Sequence, residues 1–400
     1  MTDRRFKVPR TVIALGLVSL LMDTSSEIIH ALLPLFMTVT LGLSVTAVGV
    51  IDGIAESTAS IVKVFSGYLS DRFGKRKPLI LLGYGLGAAS KPLFPLAAGL
   101  LPVLGARFAD RIGKGIRGAP RDALIADVTP AALRGRAFGL RQSMDTVGAF
   151  VGPVLAIGLM IVFANDMRSV FWVAVIPAVL AVLCVVFWVR EPVAAKAEAS
   201  APIRYAELKQ LGGAYWGVVA IGGVFTLARF SEAFLILKAT GEGLPLALAP
   251  LVLVAMNVVY ALGAYPAGVL ADRLNARSLL LAGVACLIVA DLILARSTGL
   301  VGTFGGIALW GVHMALTQGL LAKLVADTAP ARLRGSAYGV FSLVTGVSLL
   351  VASVAAGMIW DQFGPNMTFI AGAFFAAIAG AMLLFWRGSA GRGLRNADPA

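Results

Sequence analysis

Charged residues are scarce in this sequence of 400 residues. Asp, Glu, Lys and Arg make up 14% of it, and hydrophobic residues make up 58%, whereas an ordinary soluble domain carries about 25% charged residues. A soluble globule of this composition could not cover its own surface, so that class of protein is excluded. The hydrophobic residues instead fall into about twelve runs long enough to cross a hydrocarbon core about 30 Å thick.

Regular alternation of apolar and polar residues is also missing. A transmembrane β-barrel would show segments of roughly ten residues in which the two kinds alternate, but runs such as 170–189 are unbroken. The sequence therefore predicts an all-α polytopic protein whose helices lie in a lipid bilayer.

Cysteine and histidine are too few for a redox site or a metal centre. Cys184 and Cys286 each lie inside an apolar run without a spaced partner, and we interpret them as packing residues. His30 and His313 have no neighbouring Cys or second His, so no metal site is predicted. The motifs H-E-x-x-H and G-x-S-x-G are absent too. We therefore expect no enzyme activity and no cofactor.

The positive charge has an uneven distribution. The formal net charge is +13 at pH 7, which in a soluble protein could indicate nucleic-acid binding. Most of the 34 Lys and Arg, however, lie in the two tails, a central linker and the even-numbered loops. Basic loops stay on the cytoplasmic side of a membrane. This distribution predicts an even number of spans, cytoplasmic termini, a location in the cell (inner) membrane and no nucleic-acid partner.

One long polar stretch divides the chain into two similar halves. We predict a six-helix bundle over residues 1–189, a cytoplasmic linker over 190–211 and a second six-helix bundle over 212–400. The segment 67–76, GYLSDRFGKR, recurs about 200 residues later as GVLADRLNAR, and the segment 126–139 recurs at nearly the same offset. Parallel repeats that enclose a substrate site are one plan of secondary transporters.

The first repeated segment resembles the loop motif G-x-L-a-D-r-x-G-r-k of the major facilitator superfamily, and the resemblance extends over the whole chain. The residues that fit the motif are Gly67, Asp71, Arg72, Gly74 and Arg76, with Asp272 and Arg273 in the second copy. The resemblance implies twelve transmembrane helices in two pseudo-symmetric bundles and transport by alternating access. It also implies that these residues form a latch that holds the cytoplasmic side shut. A solvated loop that only sets topology is the alternative.

Carboxyl groups occur within the first two spans, where an ionisable group is costly unless it pairs or meets water. Asp23, Glu27 and His30 share one helical face, so we expect them to face a central cavity. Burial favours the neutral form of a carboxyl group, which makes Asp23 and Glu27 candidate proton carriers; a structural polar stripe is the alternative. In the second span we place Glu56 at the cavity, with structural pairing as its alternative, and Asp52 in water near the outer mouth.

The fourth span carries most of the charge inside the membrane. Arg107, Asp110, Arg111 and Lys114 share one face and are predicted cavity residues. The segment resembles the arginine motif in the fourth helix of the superfamily, although Arg111 stands where that motif has Gly. The excess positive charge requires counter-charges, either from the first-span acids and Asp145 or from an anionic group of the substrate.

The fifth span contains Asp145, the third candidate proton carrier. The segment Gly148-x-x-x-Gly152-Pro153 follows, in which small residues permit close helix contact and Pro153 bends the helix. It resembles the antiporter motif of exporters in the superfamily, although Ala156 and Ile157 replace the closing glycines. The segment therefore favours export.

The second half has fewer charges. Arg229 and Glu232 in the seventh span are expected to pair with each other. We expect Arg229 and Glu232 to lie at the cavity, and the substrate side to be shaped by Asn257, Trp310, His313 and Gln318. Lys91 and Asp291 lie toward the outer ends of the third and ninth spans, which face lipid in this fold, and are expected to snorkel toward the interface.

These features predict a monomeric secondary transporter that moves a small organic solute and is coupled to protons, with export in exchange for protons. Two alternatives are retained. One is proton-coupled import of a metabolite or a metal chelate, and the other is a transporter-like receptor that has lost transport.

Overall fold

The computed structural model describes residues 8–73, 75–130, 133–191, 210–317, 320–330 and 333–386, with the side chains of 68, 71–73 and 271–273 left aside. Every regular element in these ranges is helical, and the predicted all-α fold is confirmed. The helices of the first half are α1 (Arg10–Leu35), α2 (Val45–Phe73), α3a (Lys77–Ser90), α3b (Leu93–Leu96), α4 (Leu100–Val128), α5 (Arg134–Val162) and α6 (Met167–Trp188).

The second half repeats this order. Its helices are α7a (Gly213–Leu227), α7b (Ala233–Gly241), α8 (Leu251–Arg273), α9 (Ala276–Arg296), α10a (Leu300–Thr317), α10b (Leu320–Thr328), α11 (Arg334–Phe363) and α12 (Pro365–Phe385). Pro120, Pro153 and Pro266 lie inside α4, α5 and α8, where a missing amide donor permits bending.

Ten helices within the described ranges are long and apolar enough to cross a membrane. The two remaining spans, α4 and the α7 pair, do not meet these criteria of length and apolar composition, for different reasons. Ionisable residues occupy the middle of α4, and α7 is interrupted between Leu227 and Ala233. Polar groups at membrane depth persist where protein or water satisfies them, so both departures point to the centre of the molecule.

The two halves use the same helix packing. In the first half α1 packs on α5 and α6, and α4 packs on α2 and α3a. In the second half α7a packs on α11 and α12, and α10a packs on α8 and α9. The pseudo-symmetric pair of six-helix bundles is thus confirmed, while the exact domain limits at 189 and 212 stay a prediction.

The halves meet along α2 and α11. A Cβ atom at Gly49 would clash with the backbone oxygen of Ser353, so this contact requires glycine. The Ser57 hydroxyl donates to the carbonyl of Gly346 across the same interface, at 2.6 Å. These contacts use the first half of α2 and the part of α11 from Gly346 onward. The protein is closed on the side where α2 begins, called the far side below.

The opposite side is the one on which α1 begins, called the N-terminal side below. There α2 ends and α11 begins, and the side chains of Phe65 and Tyr338 are exposed. The halves therefore separate toward the N-terminal side.

Candidate functional site: a charged cavity between the halves

A cavity lies between the two bundles. Its inner part, of about 320 Å³, is lined by Glu27, His30, Asp52, Glu56, Arg111, Lys114, Thr226, Arg229, Phe230, Ser231, Glu232, Trp310, Leu349 and Ser353. Its outer part, of about 520 Å³, extends toward the N-terminal side, and its polar lining includes Asp23, Lys63, Arg117, Arg121, Arg141, Asp145 and Asn257. Glu27, Glu56 and Lys114 line both parts, so the two parts adjoin each other at these side chains.

Two predicted proton carriers meet on the cavity wall. The carboxyl groups of Asp23 on α1 and Asp145 on α5 lie within hydrogen-bonding reach of each other. The helices approach closely at Gly148, where a Cβ atom would lie 2.6 Å from the backbone oxygen of Leu20 and 3.1 Å from Cβ of Asp23. At Gly152 a Cβ atom would lie 2.6 Å from Cβ of Glu27. The glycines of the fifth-span motif thus set the spacing of the acids.

Asp145 also has cationic neighbours. Its carboxylate lies 3.2 Å from Arg141 and 3.9 Å from Arg121. These guanidinium groups supply counter-charges to Asp145, while Asp23 has no such ion pair among the residues that the structure describes.

Asp52 is not in water near an outer mouth, and that expectation is wrong. It is 4% exposed, lies 3.3 Å from the Arg107 guanidinium and accepts a hydrogen bond from the Ser231 hydroxyl at 2.7 Å. Arg107 also contacts Nδ1 of His30 at 2.8 Å. The first half of α2 is covered by α11 and by the interruption of α7. Asp52 consequently joins the two halves.

The charges of α4 are compensated mainly by acids that the sequence did not assign to them. Arg111 pairs with Glu56 at 3.1 Å, and Arg107 pairs with Asp52 at 3.3 Å, so α2 supplies these counter-charges instead of α1 or Asp145. Arg107 is 1% exposed and lies behind the cavity lining. The exposed Lys114 projects into the cavity and forms no ion pair within the described part of the chain.

Lys91 and Asp110 form a buried pair, which corrects two expectations. Lys91 does not snorkel toward lipid, because its ammonium group lies 2.8 Å from Asp110 and 2.9 Å from the hydroxyl of Ser26. Asp110 lies inside the first bundle and not at the cavity, and it is 2% exposed. The interruption of α3 at Lys91 and Pro92 turns the lysine inward.

Arg229 and Glu232 do not form the predicted pair, and no ion pair joins them in the structure as described. The helical spacing does not apply, because both residues lie in the interruption between α7a and α7b. Arg229 instead lies over the ring of Phe225, at 5.8 Å, and Ser231 accepts a hydrogen bond from the backbone nitrogen of Ala233 at 3.2 Å. A serine before a new helix is a start signal, and this one could have revealed the interruption.

Two residues of the second bundle differ from expectation. His313 is fully buried and lies behind Trp310, at 6.0 Å between ring centres, so it does not line the cavity. Asp291 does not face lipid, because it is 0% exposed and packs against Gly372 of α12. Trp310 and Asn257 do line the cavity.

The loop motif on the N-terminal side is only partly described. Gly67 packs near Ala119 of α4, since a Cβ atom there would lie 3.4 Å from it. Arg76 pairs with Asp127 of α4 at 3.3 Å, within one half. Gly74 and Gln318, and the side chains of Asp71, Arg72, Asp272 and Arg273, lie outside the described residues. The described residues contain no cluster of His, Cys, Asp and Glu fit for a metal ion.

The chain matches the family model described as Major Facilitator Superfamily over residues 15–256 and 219–399. It belongs to this superfamily. The predicted family is thereby confirmed, and membership identifies the chain as a multi-pass membrane transporter and not an enzyme.

Relatives of this superfamily member include archaeal and bacterial transporters. It is 30% identical to an uncharacterised MFS-type transporter of Methanocaldococcus jannaschii, over 95% of both chains. It is 25% identical to the inner membrane transport protein YajR of Escherichia coli, over 84% of this chain and 74% of YajR. Among solved structures, the nucleoside transporter NupG has a TM-score of 0.77 at 12% identity, over 94% of this chain and 98% of NupG. That likeness supports the fold.

Proposed function

We propose that this protein exports a small organic solute across the cell membrane in exchange for protons, as a monomer with both termini in the cytoplasm. The contact between Asp23 and Asp145 on the cavity wall carries the proposal. Two carboxyl groups in contact cannot both ionise at low cost, so such a pair retains one proton. Arg121 and Arg141 pair with Asp145, and no ion pair reaches Asp23 among the described residues, so we propose that Asp23 holds the retained proton.

Exchange requires that solute and proton compete for one cavity. Glu27 lies one helical turn beyond Asp23 and lines both the inner and the outer part of the cavity. A solute in the inner part therefore lies beside the acids that carry the proton. Solute binding would displace the proton toward the open N-terminal side. After the cavity has opened to the far side instead, a proton from that side would bind and release the solute.

The inner cavity supports an amphiphilic organic solute. Phe230 and Trp310 offer aromatic faces, and Glu27, Lys114 and Arg229 offer charges of both signs. Lysine and arginine recognise anionic groups, whereas acids and aromatic faces recognise organic cations. Solutes that combine a ring with a charged group fit this lining.

Export is supported by the fifth-span motif and by the open side. With cytoplasmic termini, the cavity would be open to the cytoplasm and able to load solute there. The multidrug resistance protein MdtH of Salmonella arizonae is 28% identical over 37% of this chain. Its name agrees with the proposed direction.

Flux measurements in inside-out vesicles test the proposal. We expect acidification of the vesicle interior to drive uptake of fluorescent organic dyes such as ethidium, Hoechst 33342 or fluorescein, and Asp23→Asn to abolish that uptake at unchanged protein level. Asp166→Asn, which alters an exposed carboxylate in the loop between α5 and α6, is the matched control and should leave uptake unchanged. Loss of preloaded dye on acidification would indicate import, and uptake by Asp23→Asn equal to wild type would refute the assigned proton carrier.

A further inference from the structure

Asp291 has an unusual environment for an acidic side chain. It lies on α9 at 0% exposure, and neither of its carboxyl oxygens has a hydrogen-bond partner within the described part of the chain. A Cβ atom at Gly372 would lie 2.7 Å from Oδ2 of Asp291 and 3.0 Å from Cε1 of Phe230. The carboxyl group is therefore enclosed between α12 and an aromatic ring.

An ionised carboxylate is untenable in these surroundings. Burial of an unpaired charge costs many kcal/mol, and groups placed this way neutralise instead. A metal cation would need several oxygen ligands, and no suitable cluster of acidic or histidine side chains occurs among the described residues. The small ligand that makes the group neutral is the proton.

The titratable groups around Asp291 belong to its own helix and to the helices that surround it. α12 contains no titratable residue, and on α10a the titratable residue is His313. Gly283 of α9 lies beside His313, and Asp291 follows Gly283 by eight residues, which is about 12 Å along a helix. On α8 the titratable side chains that the structure describes are Tyr260 and Tyr265. Arg229, Glu232 and Lys238 flank the interruption of α7, and Arg277 and Arg296 lie at the ends of α9.

None of these groups forms an ion pair with Asp291 in the structure as described. Lys238 pairs with Glu242 at 2.6 Å, and Arg229 lies over Phe225. The carboxyl group therefore has no counter-charge that could stabilise its ionised form.

The sequence repeat shows how the two halves differ at the position of Asp291. Lys91 occupies in α3 the position that Asp291 occupies in α9, at an offset of 200 residues, and it pairs with Asp110 at 2.8 Å. The residue that corresponds to Asp110 is Trp310. The first half thus holds a complete ion pair, whereas the second half holds an acid without its base.

We propose that Asp291 is a proton-binding site of the C-terminal bundle, which holds a neutral carboxyl group behind Phe230 in the state described here. Phe230 lies in the interruption of α7 and also lines the inner cavity. A movement of this interruption would uncover Asp291 to the cavity. Release of the proton in turnover rests on the proposed proton exchange, but the presence of the proton does not.

Infrared spectroscopy of the purified protein tests the site directly, because a protonated carboxyl group has a carbonyl stretching band that an ionised one lacks. We expect wild-type protein to retain such a band between about pH 6 and pH 9, since burial favours the neutral form. Asp23 is proposed to hold a proton as well, so Asp291→Asn should reduce the band by the contribution of one carboxyl group, and Asp166→Asn should leave it unchanged. Persistence of the whole band in Asp291→Asn would overturn the assignment.

A second measurement serves if Asp291→Asn does not fold. Aspartate labelled with carbon-13 at its carboxyl group shifts aspartate bands away from those of glutamate. In the Asp23→Asn background, a shifted band that persists at high pH supports Asp291, and its absence overturns the assignment. If the vesicle flux shows no proton exchange while this band is present, the proposed function fails and the site at Asp291 stands.

Discussion

Asp361 of α11 caps the first turn of α2 through Thr46. Its carboxylate accepts hydrogen bonds from the Thr46 hydroxyl at 2.6 Å, the Thr46 backbone nitrogen at 2.8 Å and the Val45 backbone nitrogen at 3.1 Å. Unsatisfied amides and the positive end of the helix dipole make a helix start favourable for a carboxylate. Because the cap and the helix belong to different halves, these hydrogen bonds stabilise closure of the far side.

Asp361→Asn should weaken that closure. Asparagine keeps one acceptor oxygen but removes the negative charge and the second acceptor, at a cost of about 1 kcal/mol, which would raise the population open to the far side about fivefold. Spin labels at Val39→Cys and Val301→Cys, two exposed far-side positions in different halves, would report the change, with Cys184 and Cys286 replaced by alanine. We expect the longer-distance population to grow.

Asp166 provides a matched control for this variant. It accepts a hydrogen bond from the backbone nitrogen of Arg168 at 3.1 Å and so caps α6, but within one half. A hydrogen bond from the Ser169 hydroxyl holds the pKa of this exposed carboxyl below its usual range. Asp166→Asn removes a comparable negative charge from a helix start within one half and should leave the label distances unchanged. Equal shifts in both variants would show that the cap does not join the halves.

The fold was predictable because long apolar runs and two repeated motifs suffice to place the helices. The cavity acids were predictable as well, because residues spaced by three or four positions share one helical face. Asp23 and Glu27, and likewise the cationic Lys114, were assigned to the cavity from their spacing alone. A face can be assigned from spacing only while the helix continues.

Interruptions of helices account for the main errors. Lys91 precedes Pro92 where α3 breaks, and Arg229 and Glu232 lie in the gap of α7, so helical spacing did not give their directions. Asp361 is a lone acid at the end of a span. From the sequence alone, such a residue cannot be distinguished from an acid that is simply exposed to water. Its role depends on a partner about 300 residues away, which local patterns do not report.

The buried pair of Lys91 and Asp110 predicts a large loss of stability when one partner is removed. Asp110→Asn would leave the ammonium group of Lys91 without a counter-charge, at a cost of about 3–5 kcal/mol. The double variant Lys91→Met with Asp110→Asn should recover much of this loss, since it removes both charges. Thermal unfolding in detergent measures both effects. A residue that snorkels into water would give almost no change, so equal stability of Asp110→Asn and wild type would contradict the buried pair.

The ammonium group of Lys114 is expected to favour solutes that carry a negative charge. Its ammonium group projects into the cavity without an ion pair among the described residues, so Lys114→Gln should leave the free energy of unfolding within about 1 kcal/mol of wild type. If the group binds an anionic part of the solute, the variant should lose transport of fluorescein and keep transport of ethidium. Equal losses for both dyes would show that Lys114 does not select charge. The same vesicle assay gives the result.

Ser231 forms a second hydrogen bond between the halves, and we expect it to stabilise closure of the far side. Its hydroxyl donates to Asp52 at 2.7 Å across the halves, and a hydrogen bond to a charged acceptor contributes about 1.5–3 kcal/mol. Ser231→Ala should therefore shift the same label distances as Asp361→Asn. Asp52 lies about 9 Å along α2 from Thr46, so the two effects should add in the double variant. A double variant no more open than either single variant would show that the two bonds do not act independently.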